Sequence, residues 1–269
     1  MRIMVLGDIF GQPGMKAVVN KLPEIIKKKE INFVVINAEN AADNGVGITN
    51  KNAEELFNAG ADVITSGNHI WDQAEIMKTM DKDKRILRPM NLISDHGNGY
   101  GVFKTKKTKK SVAVVNLMGN VFMKKCQNVF ESAKKIVEEI KLKDNVDYLI
   151  VDMHGEITSE KTAMGFFFDG KATMVFGTHT HVPTADHRVM EKGTAYQTDL
   201  GMCGDYNSVI GMNKDNSIKR FFNDPAAKRH FPSKGEATIC GAIVNANEKT
   251  GLAKSIEPFI LGGKLYQRN

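Results

Sequence analysis

The chain has 269 residues, with 42% hydrophobic and 25% charged side chains, which is typical of a globular protein with a substantial core. Three widely spaced cysteines outside any Cys-x-x-Cys pattern argue against a disulfide framework and a thiolate zinc site. No apolar run approaches the roughly 20 residues of a membrane span and no signal-peptide core is present, so we expect a cytoplasmic protein without membrane contact. The net charge of +6 favours anionic ligands, although solvated lysine clusters explain it more simply.

Short apolar or β-branched runs alternate with amphipathic stretches through the first two-thirds of the sequence. The predicted strands are Arg2–Leu6, Phe33–Asn37, Asp62–Thr65, Ser111–Leu117, Tyr148–Asp152 and Ala172–Phe176. The predicted helices are Pro13–Lys29, Lys51–Asn58, Gln73–Met80 and Asn128–Ile140. This alternation predicts crossover connections and largely parallel pairing.

The last third of the sequence has a different pattern, in which short turns join the predicted strands. These strands are Arg188–Met190, Thr194–Gln197, Glu236–Val244 and Lys254–Leu261, and antiparallel pairing is expected for them. The polar stretch Tyr206–Lys234 is predicted to be a surface excursion. Both parts fit an α/β sandwich of mixed β-sheets flanked by helices, forming a single domain over residues 1–269.

The Asp72–Glu75 spacing resembles a helix N-cap and its partner three residues later. It predicts that a helix begins just after Trp71, because such a pair satisfies backbone N–H groups of the first turn.

Five of the predicted strands end in residues that can bind metal. These ends are Gly7-Asp8, Ala38-Glu39-Asn40, Ser66-Gly67-Asn68-His69, Met153-His154-Gly155-Glu156 and Gly177-Thr178-His179-Thr180-His181. Ligands of open α/β sheets bind beyond the carboxyl ends of strands, so these loops can converge. Oxygen and imidazole ligands without thiolates suit iron, manganese or zinc, and they are too many for one tetrahedral ion. The set predicts two ions about 3.5–4 Å apart, with Glu39 or Asp8 as the bridging anion.

Each candidate also has a purely structural explanation. Taken singly, three of them are more simply explained as turn residues: Asp8, Asn40 and Asn68. His154 alone would be a buried, satisfied histidine. His179 and His181 are harder to explain in this way, because residues two apart in an extended segment face the same side. The recurrence of such residues at five strand ends favours a metal site.

A phosphate-binding glycine loop is an alternative for residues 7–14. That segment lacks the Gly-Lys-Ser/Thr ending of a P-loop and does not have the dinucleotide-binding spacing. Asp8 would also repel a bare phosphate. We therefore reject an enzyme of the nucleotide-cradling type.

Taken in order, the motifs Gly-Asp, Glu-Asn, Gly-Asn-His, His-Gly-Glu and Gly-Thr-His-Thr-His resemble the calcineurin-like metallophosphoesterase superfamily. In detail the chain is similar to the bacterial YmdB-type branch over nearly its whole length. Phe10 stands where the superfamily usually has a histidine, and Glu39 where it has a bridging aspartate. The branch shares both departures, so the resemblance implies its fold, a metallophosphoesterase-type sandwich.

The resemblance also implies the roles of individual residues. One metal ion would be held by Asp8, Glu39, Asn40 and His181. The other would be held by Glu39, Asn68, His154 and His179. An amide oxygen in place of an imidazole hardens the first site and favours iron, or manganese, over zinc. His69 would face the substrate as general acid, while a metal-bridging water attacks phosphorus.

The branch implies a phosphodiester substrate, in particular a 2′,3′-cyclic nucleotide, with cyclic dinucleotides and phosphomonoesters as other candidates. A regulatory binding protein that acts through a partner in RNA turnover is the alternative from another functional class. The complete ligand set argues against a scaffold that has lost catalysis. A homo-oligomer is compatible with the sequence.

Overall fold

The computed structural model of the protein describes residues 1–268. Its strands are β1 (Arg2–Leu6), β2 (Phe33–Asn37), β3 (Val63–Thr65), β4 (Tyr100–Lys104), β5 (Ser111–Met118), β6 (Tyr148–His154), β7 (Met174–Thr178), β8 (Arg188–Val189), β9 (Ala195–Gln197), β10 (Gly204–Asp205), β11 (Ala237–Ala246) and β12 (Ala253–Leu261). Its helices are α1 (Gly11–Lys28), α2 (Asn50–Ala59), α3 (Ile76–Lys82), α4 (Val129–Glu139), α5 (Thr158–Phe168) and α6 (Lys214–Phe221).

The strands form two mixed sheets. The first has the order β10-β11-β1-β2-β3, with β12 paired to β11, and the second has the order β4-β5-β6-β7-β9-β8. Pairing is parallel along β1-β2-β3 and along β5-β6-β7-β9. It is antiparallel at β11-β12 and β8-β9. The predicted mixed α/β sandwich is therefore confirmed, although β9 pairs in parallel with β7.

Both faces of the inner strands are buried, which explains their continuous apolar runs. In β1, Ile3 and Val5 lie in a central cluster with side chains from both sheets. Met4 and Leu6 alternate with them and pack on the other side, in a cluster that contains residues of α1 and α2. A third cluster packs α4 and α5 on the second sheet. The layers are thus helix, sheet, sheet and helix.

Sequence patterns mispredicted several local elements. The helix predicted to begin after Trp71 begins at Ile76. The Asp72 side chain does not cap this helix and instead contacts His69. Sequence analysis did not predict β4 or α5, and the surface excursion contains α6. Helix α5 was missed because its apolar and polar residues are not separated onto two clear faces, since Phe166 and Phe167 are adjacent in the sequence.

Among the described residues, no helix combines the length and apolar character needed to cross a membrane.

Candidate metal centre

The carboxyl ends of strands from both sheets meet at one edge of the sandwich. Asp152, in β6, accepts hydrogen bonds from Thr65 of β3 at 2.6 Å, Asn37 of β2 at 2.9 Å and Thr178 of β7 at 2.7 Å. This buried polar cluster joins the two sheets directly beneath the five loops that carry the predicted ligands. The convergence expected from the strand ends is therefore present.

Four predicted ligands meet around one atom, Nε2 of His154. Glu39 Oε2 lies 2.9 Å from it, His179 Nδ1 lies 3.1 Å from it and Asn68 Oδ1 lies 3.2 Å from it. Ligand atoms of Glu39, His154 and His179 all lie within 4.8 Å of one another, which makes them a group that could hold a metal ion. This group contains three of the four residues predicted for the second ion, and Asn68, the fourth, lies 3.2 Å from His154 Nε2.

The residues predicted for the first ion lie beside this group. Asp8 is fully buried, and its Oδ1 lies 3.9 Å from Nε2 of His181. Asn40 donates its amide Nδ2 to the Gly45 carbonyl at 3.0 Å. Its Oδ1 is buried and has no hydrogen-bond partner among the described residues. A buried oxygen without a partner is costly unless a cation or water satisfies it, so Asn40 fits a metal ligand.

Fixed acceptors set the orientation of all three histidine rings. His181 Nδ1 donates to the Ile210 carbonyl at 2.8 Å, and His179 Nε2 lies 3.1 Å from the Glu156 carboxylate. His154 Nδ1 lies 2.9 Å from the Thr178 hydroxyl, which itself donates to Asp152 and must therefore accept here. Each ring turns its other nitrogen toward the cluster, where it can offer a lone pair once a cation displaces any proton that it carries. This is the arrangement that typically orients metal-binding histidines.

The histidine loop is not the extended segment that sequence analysis assumed. Strand β7 ends at Thr178, and both His179 and His181 have left-handed backbones with φ of 95° and 66°. Strained non-glycine residues of this kind concentrate at functional sites. The two rings approach the same centre because of a bend, and the predicted strand geometry is wrong. Asn68 and His69 likewise lie in a turn.

Gly67 is required by the close approach of a histidine. A Cβ atom at this position would lie 2.2 Å from Nε2 of His154. Any larger residue would displace the ring around which the cluster is built. This contact explains the glycine of the Gly-Asn-His motif.

The electrostatics of the cluster favour positive charge. Burial disfavours a charged His154, but Glu39 and Asp8 raise its pKa to about 9. Burial opposes ionisation of Glu39, yet His154 lowers the pKa of Glu39 to about 2. Burial and repulsion from His154 lower the pKa of His179 to about 3, so His179 is a neutral imidazole. The site thus stabilises a cation next to a free imidazole lone pair.

His69 contacts the cluster through its backbone, and its side chain is 33% exposed. Its N–H donates to Glu39 Oε1 at 2.7 Å, and its ring Nδ1 lies 2.7 Å from Asp72. Lys124 donates to the Asn68 carbonyl at 2.6 Å and lies 3.8 Å from Asp72. Asp72 and Lys124 were missed by sequence analysis; the position of Asp72 three residues after His69 was the available signal.

A buried ion pair supports the histidine loop from behind. Lys161 Nζ donates to Asp199 Oδ2 at 2.8 Å, and both residues are buried. The same carboxylate oxygen accepts from the hydroxyl of Thr180 at 2.7 Å. Phe10, which replaces the usual histidine, packs edge-on against His181 with ring centroids 5.3 Å apart. Sequence analysis offered no signal for the Lys161–Asp199 pair.

The chain is similar to known proteins over nearly its whole length. The family model of the YmdB-like proteins matches residues 4–259. A 2′,3′-cyclic-nucleotide 2′-phosphodiesterase of Bacillus subtilis is 39% identical over 97% of each chain. The crystal structure of a phosphatase from Mycoplasma pneumoniae has a TM-score of 0.89 at 35% identity, covering 97% of this chain and 93% of that one.

A hypothetical protein from Thermus thermophilus has a similar crystal structure, with a TM-score of 0.88 at 32% identity over 98% of this chain and 100% of that one. The family model covers nearly the whole sequence, and these relatives share the full length of the fold. The sandwich is of the metallophosphoesterase type, and the chain belongs to the YmdB-like protein family.

Proposed function

We propose that the protein is a dinuclear metal-dependent phosphodiesterase that hydrolyses 2′,3′-cyclic nucleotides. The observation that carries this proposal is that Glu39, Asn68 and His179 meet around Nε2 of His154 at one edge of the sandwich, with Asp8, Asn40 and His181 beside them. The activity named for the Bacillus subtilis relative supports the choice of substrate, since that protein is 39% identical over 97% of each chain.

The residues present fit two cations. Asp8, Glu39, Asn40 and His181 would hold one ion, and Glu39, Asn68, His154 and His179 the other. When bound, the two ions would lower the pKa of a water molecule and hold phosphoryl oxygens. The unpartnered oxygen of Asn40 and the buried carboxylate of Asp8, whose pKa is raised by burial, are the features that support the first position. Hard oxygen ligands favour iron, with manganese as the second choice.

The protein's own side chains would direct the proton to the leaving group. Attack on phosphorus breaks the bond to the 2′-oxygen of the ribose, and that oxygen gains a proton as it departs. His69 supplies this proton from Nε2, because Nδ1 is engaged by Asp72 at 2.7 Å. Asp72 holds the orientation of the ring, as a carboxylate does for other catalytic histidines.

The test is a substrate panel with protein loaded anaerobically with iron or manganese. We expect 2′,3′-cyclic AMP to give adenosine 3′-phosphate, with kcat/KM at least about tenfold above that for a phosphomonoester or a cyclic dinucleotide. Chelation of the metals should abolish the reaction. Faster hydrolysis of the phosphomonoester would contradict the proposed substrate class.

Thr178→Val should weaken the metal position built on His154. The substitution removes the hydroxyl that links His154 Nδ1 to Asp152, which frees the ring to rotate. Such outer partners typically contribute about 10–100-fold to metal affinity. Manganese titration of the metal-free protein measures the change. Thr65→Val is the matched control, since Thr65 also donates to Asp152 and its hydroxyl is not bonded to His154. Equal manganese affinities in the two variants would contradict the role of the Thr178 hydroxyl in orienting His154.

Several finer assignments stay proposals. The cysteines are free thiols, which supports a reducing compartment and hence the cytoplasm. A homo-oligomer, a partner protein in RNA turnover and a single domain over residues 1–269 remain predictions.

A further inference from the structure

The loop of residues 119–127, between β5 and α4, borders the predicted second metal position. Gly119 donates its N–H to the His154 carbonyl at 2.8 Å. Farther along, Lys124 donates to the Asn68 carbonyl at 2.6 Å. Since His154 and Asn68 are both predicted ligands of the same ion, the loop is attached on two sides of that position. We call residues 119–127 the bordering loop.

The base of the bordering loop is held firmly. The N–H of Asn120 donates to Glu160 at 2.9 Å, and the side chain of Asn120 accepts from Val129 N–H at 2.9 Å and donates to the Gln127 carbonyl at 3.0 Å. These bonds join the beginning of the loop to its end. Its tip is therefore presented to solvent from a fixed base.

Phe122 lies at this tip in an unusual state. Its backbone is left-handed, with φ of 60°, and its side chain is 86% exposed. A bulky residue rarely adopts this backbone conformation. Phe122 is two residues from Lys124, so their Cα atoms are at most about 7 Å apart. The tip that carries the aromatic ring is thus attached to the turn of Asn68 and His69 through the Lys124 side chain.

We propose that Phe122 is the platform on which the nucleobase of the substrate stacks. This inference rests on the proposed function. His69 protonates the oxygen that departs with the ribose, so the nucleoside must lie on the His69 side of the cluster. The bordering loop lies on that side, through Lys124 and Asn68. Stacking on an aromatic ring accepts every base, because every base has a π-face.

The opposite flank offers a poorer platform. Ile210 is also exposed and left-handed, and its carbonyl accepts from His181, a ligand predicted for the first ion. Its side chain is aliphatic and cannot stack in the same way. Substitution of Phe122 and substitution of Ile210 should therefore affect binding of the same substrate differently.

The experiment compares two cyclic phosphates, 2′,3′-cyclic AMP and glycerol 1,2-cyclic phosphate, which has an alkoxide leaving group and no base. Phe122→Ala should raise KM for 2′,3′-cyclic AMP about 5- to 100-fold with little change in kcat, since stacking binds ground and transition states alike. KM for glycerol 1,2-cyclic phosphate should change less than about twofold. Phe122→Trp should restore the wild-type KM, and metal content should stay unchanged in both variants.

Phe166→Ala is the matched control. Phe166 is 64% exposed and lies near the end of α5, about 9 Å along the helix axis from Glu160. The Phe166→Ala variant should have unchanged KM values for both substrates. Equal effects of Phe122→Ala on both substrates, or a selective loss in Ile210→Ala instead, would overturn the stacking role while leaving the proposed function intact. A wild-type protein that hydrolyses neither cyclic phosphate would overturn the proposed function and this inference with it.

Discussion

Replacing Glu39 with Gln should remove both metal ions and reduce phosphodiesterase activity by at least about 10²–10³-fold, the loss that follows removal of one electrostatic group at a reacting centre. Glu39 Oε1 accepts from the His69 N–H at 2.7 Å, so the oxygen of the new amide must occupy this position. Its NH₂ group then replaces Oε2, which lies 2.9 Å from His154 Nε2. This NH₂ group would then face the predicted metal position, where an oxygen lone pair is needed. An amide also cannot neutralise two cations.

Elemental analysis of anaerobically purified protein measures this effect. The wild type should contain two ions per chain, and Glu39→Gln should contain neither. Glu156→Gln is the matched control, because Glu156 also contacts a cluster histidine but is half exposed and should keep both ions. If Glu39→Gln retained two ions and turned over normally, Glu39 would not be the bridge. A wild type that holds one ion after reconstitution would contradict the dinuclear site itself.

The parts of the fold that sequence patterns predicted are those fixed by burial on both faces. Strands β1 and β2 were predicted with the correct bounds, because each contains an uninterrupted apolar run, Ile3–Leu6 in β1 and Phe33–Ile36 in β2, with polar or glycine residues on both sides. Strand β4 was missed because only one of its faces is covered, and its glycine and lysine residues resemble a turn. Pairing of β9 with β7 depends on contacts across the sheet that no local pattern records.

The candidate site was predictable as a set of residues but not as a geometry. Ligand types at strand ends indicated a metal centre, because parallel strands place their carboxyl ends together. The left-handed backbones of His179 and His181 could not be read from the sequence, since they depend on support such as the Asp199 carboxylate beneath Thr180. The acidic residue at 72 was assigned to a helix cap, because an N-cap and a partner for a nearby histidine have similar local spacing.

Replacing His69 with Ala should slow the hydrolysis of a substrate more strongly when its leaving oxygen needs a proton. A general acid contributes about 10²–10⁴-fold when the departing group is an alkoxide, as in 2′,3′-cyclic AMP. A p-nitrophenolate leaves without help, so hydrolysis of bis-p-nitrophenyl phosphate should fall less than about tenfold. Metal content should be unchanged, because alanine retains the backbone N–H that donates to Glu39 at 2.7 Å. Steady-state kinetics on the two substrates measure the ratio.

The chain offers a closely matched control in His96, whose Nδ1 lies 2.8 Å from Asp81 in the same kind of exposed histidine–aspartate pair. His96→Ala should leave both substrates unaffected, because its partner is not in the cluster. Asp72→Asn should reproduce part of the His69→Ala effect, with the same preference for alkoxide leaving groups, since the ring loses the carboxylate that holds its orientation. Equal losses on both substrates in His69→Ala, or loss of a metal ion, would remove His69 from the acid role and leave it as a residue that positions the Asn68 turn.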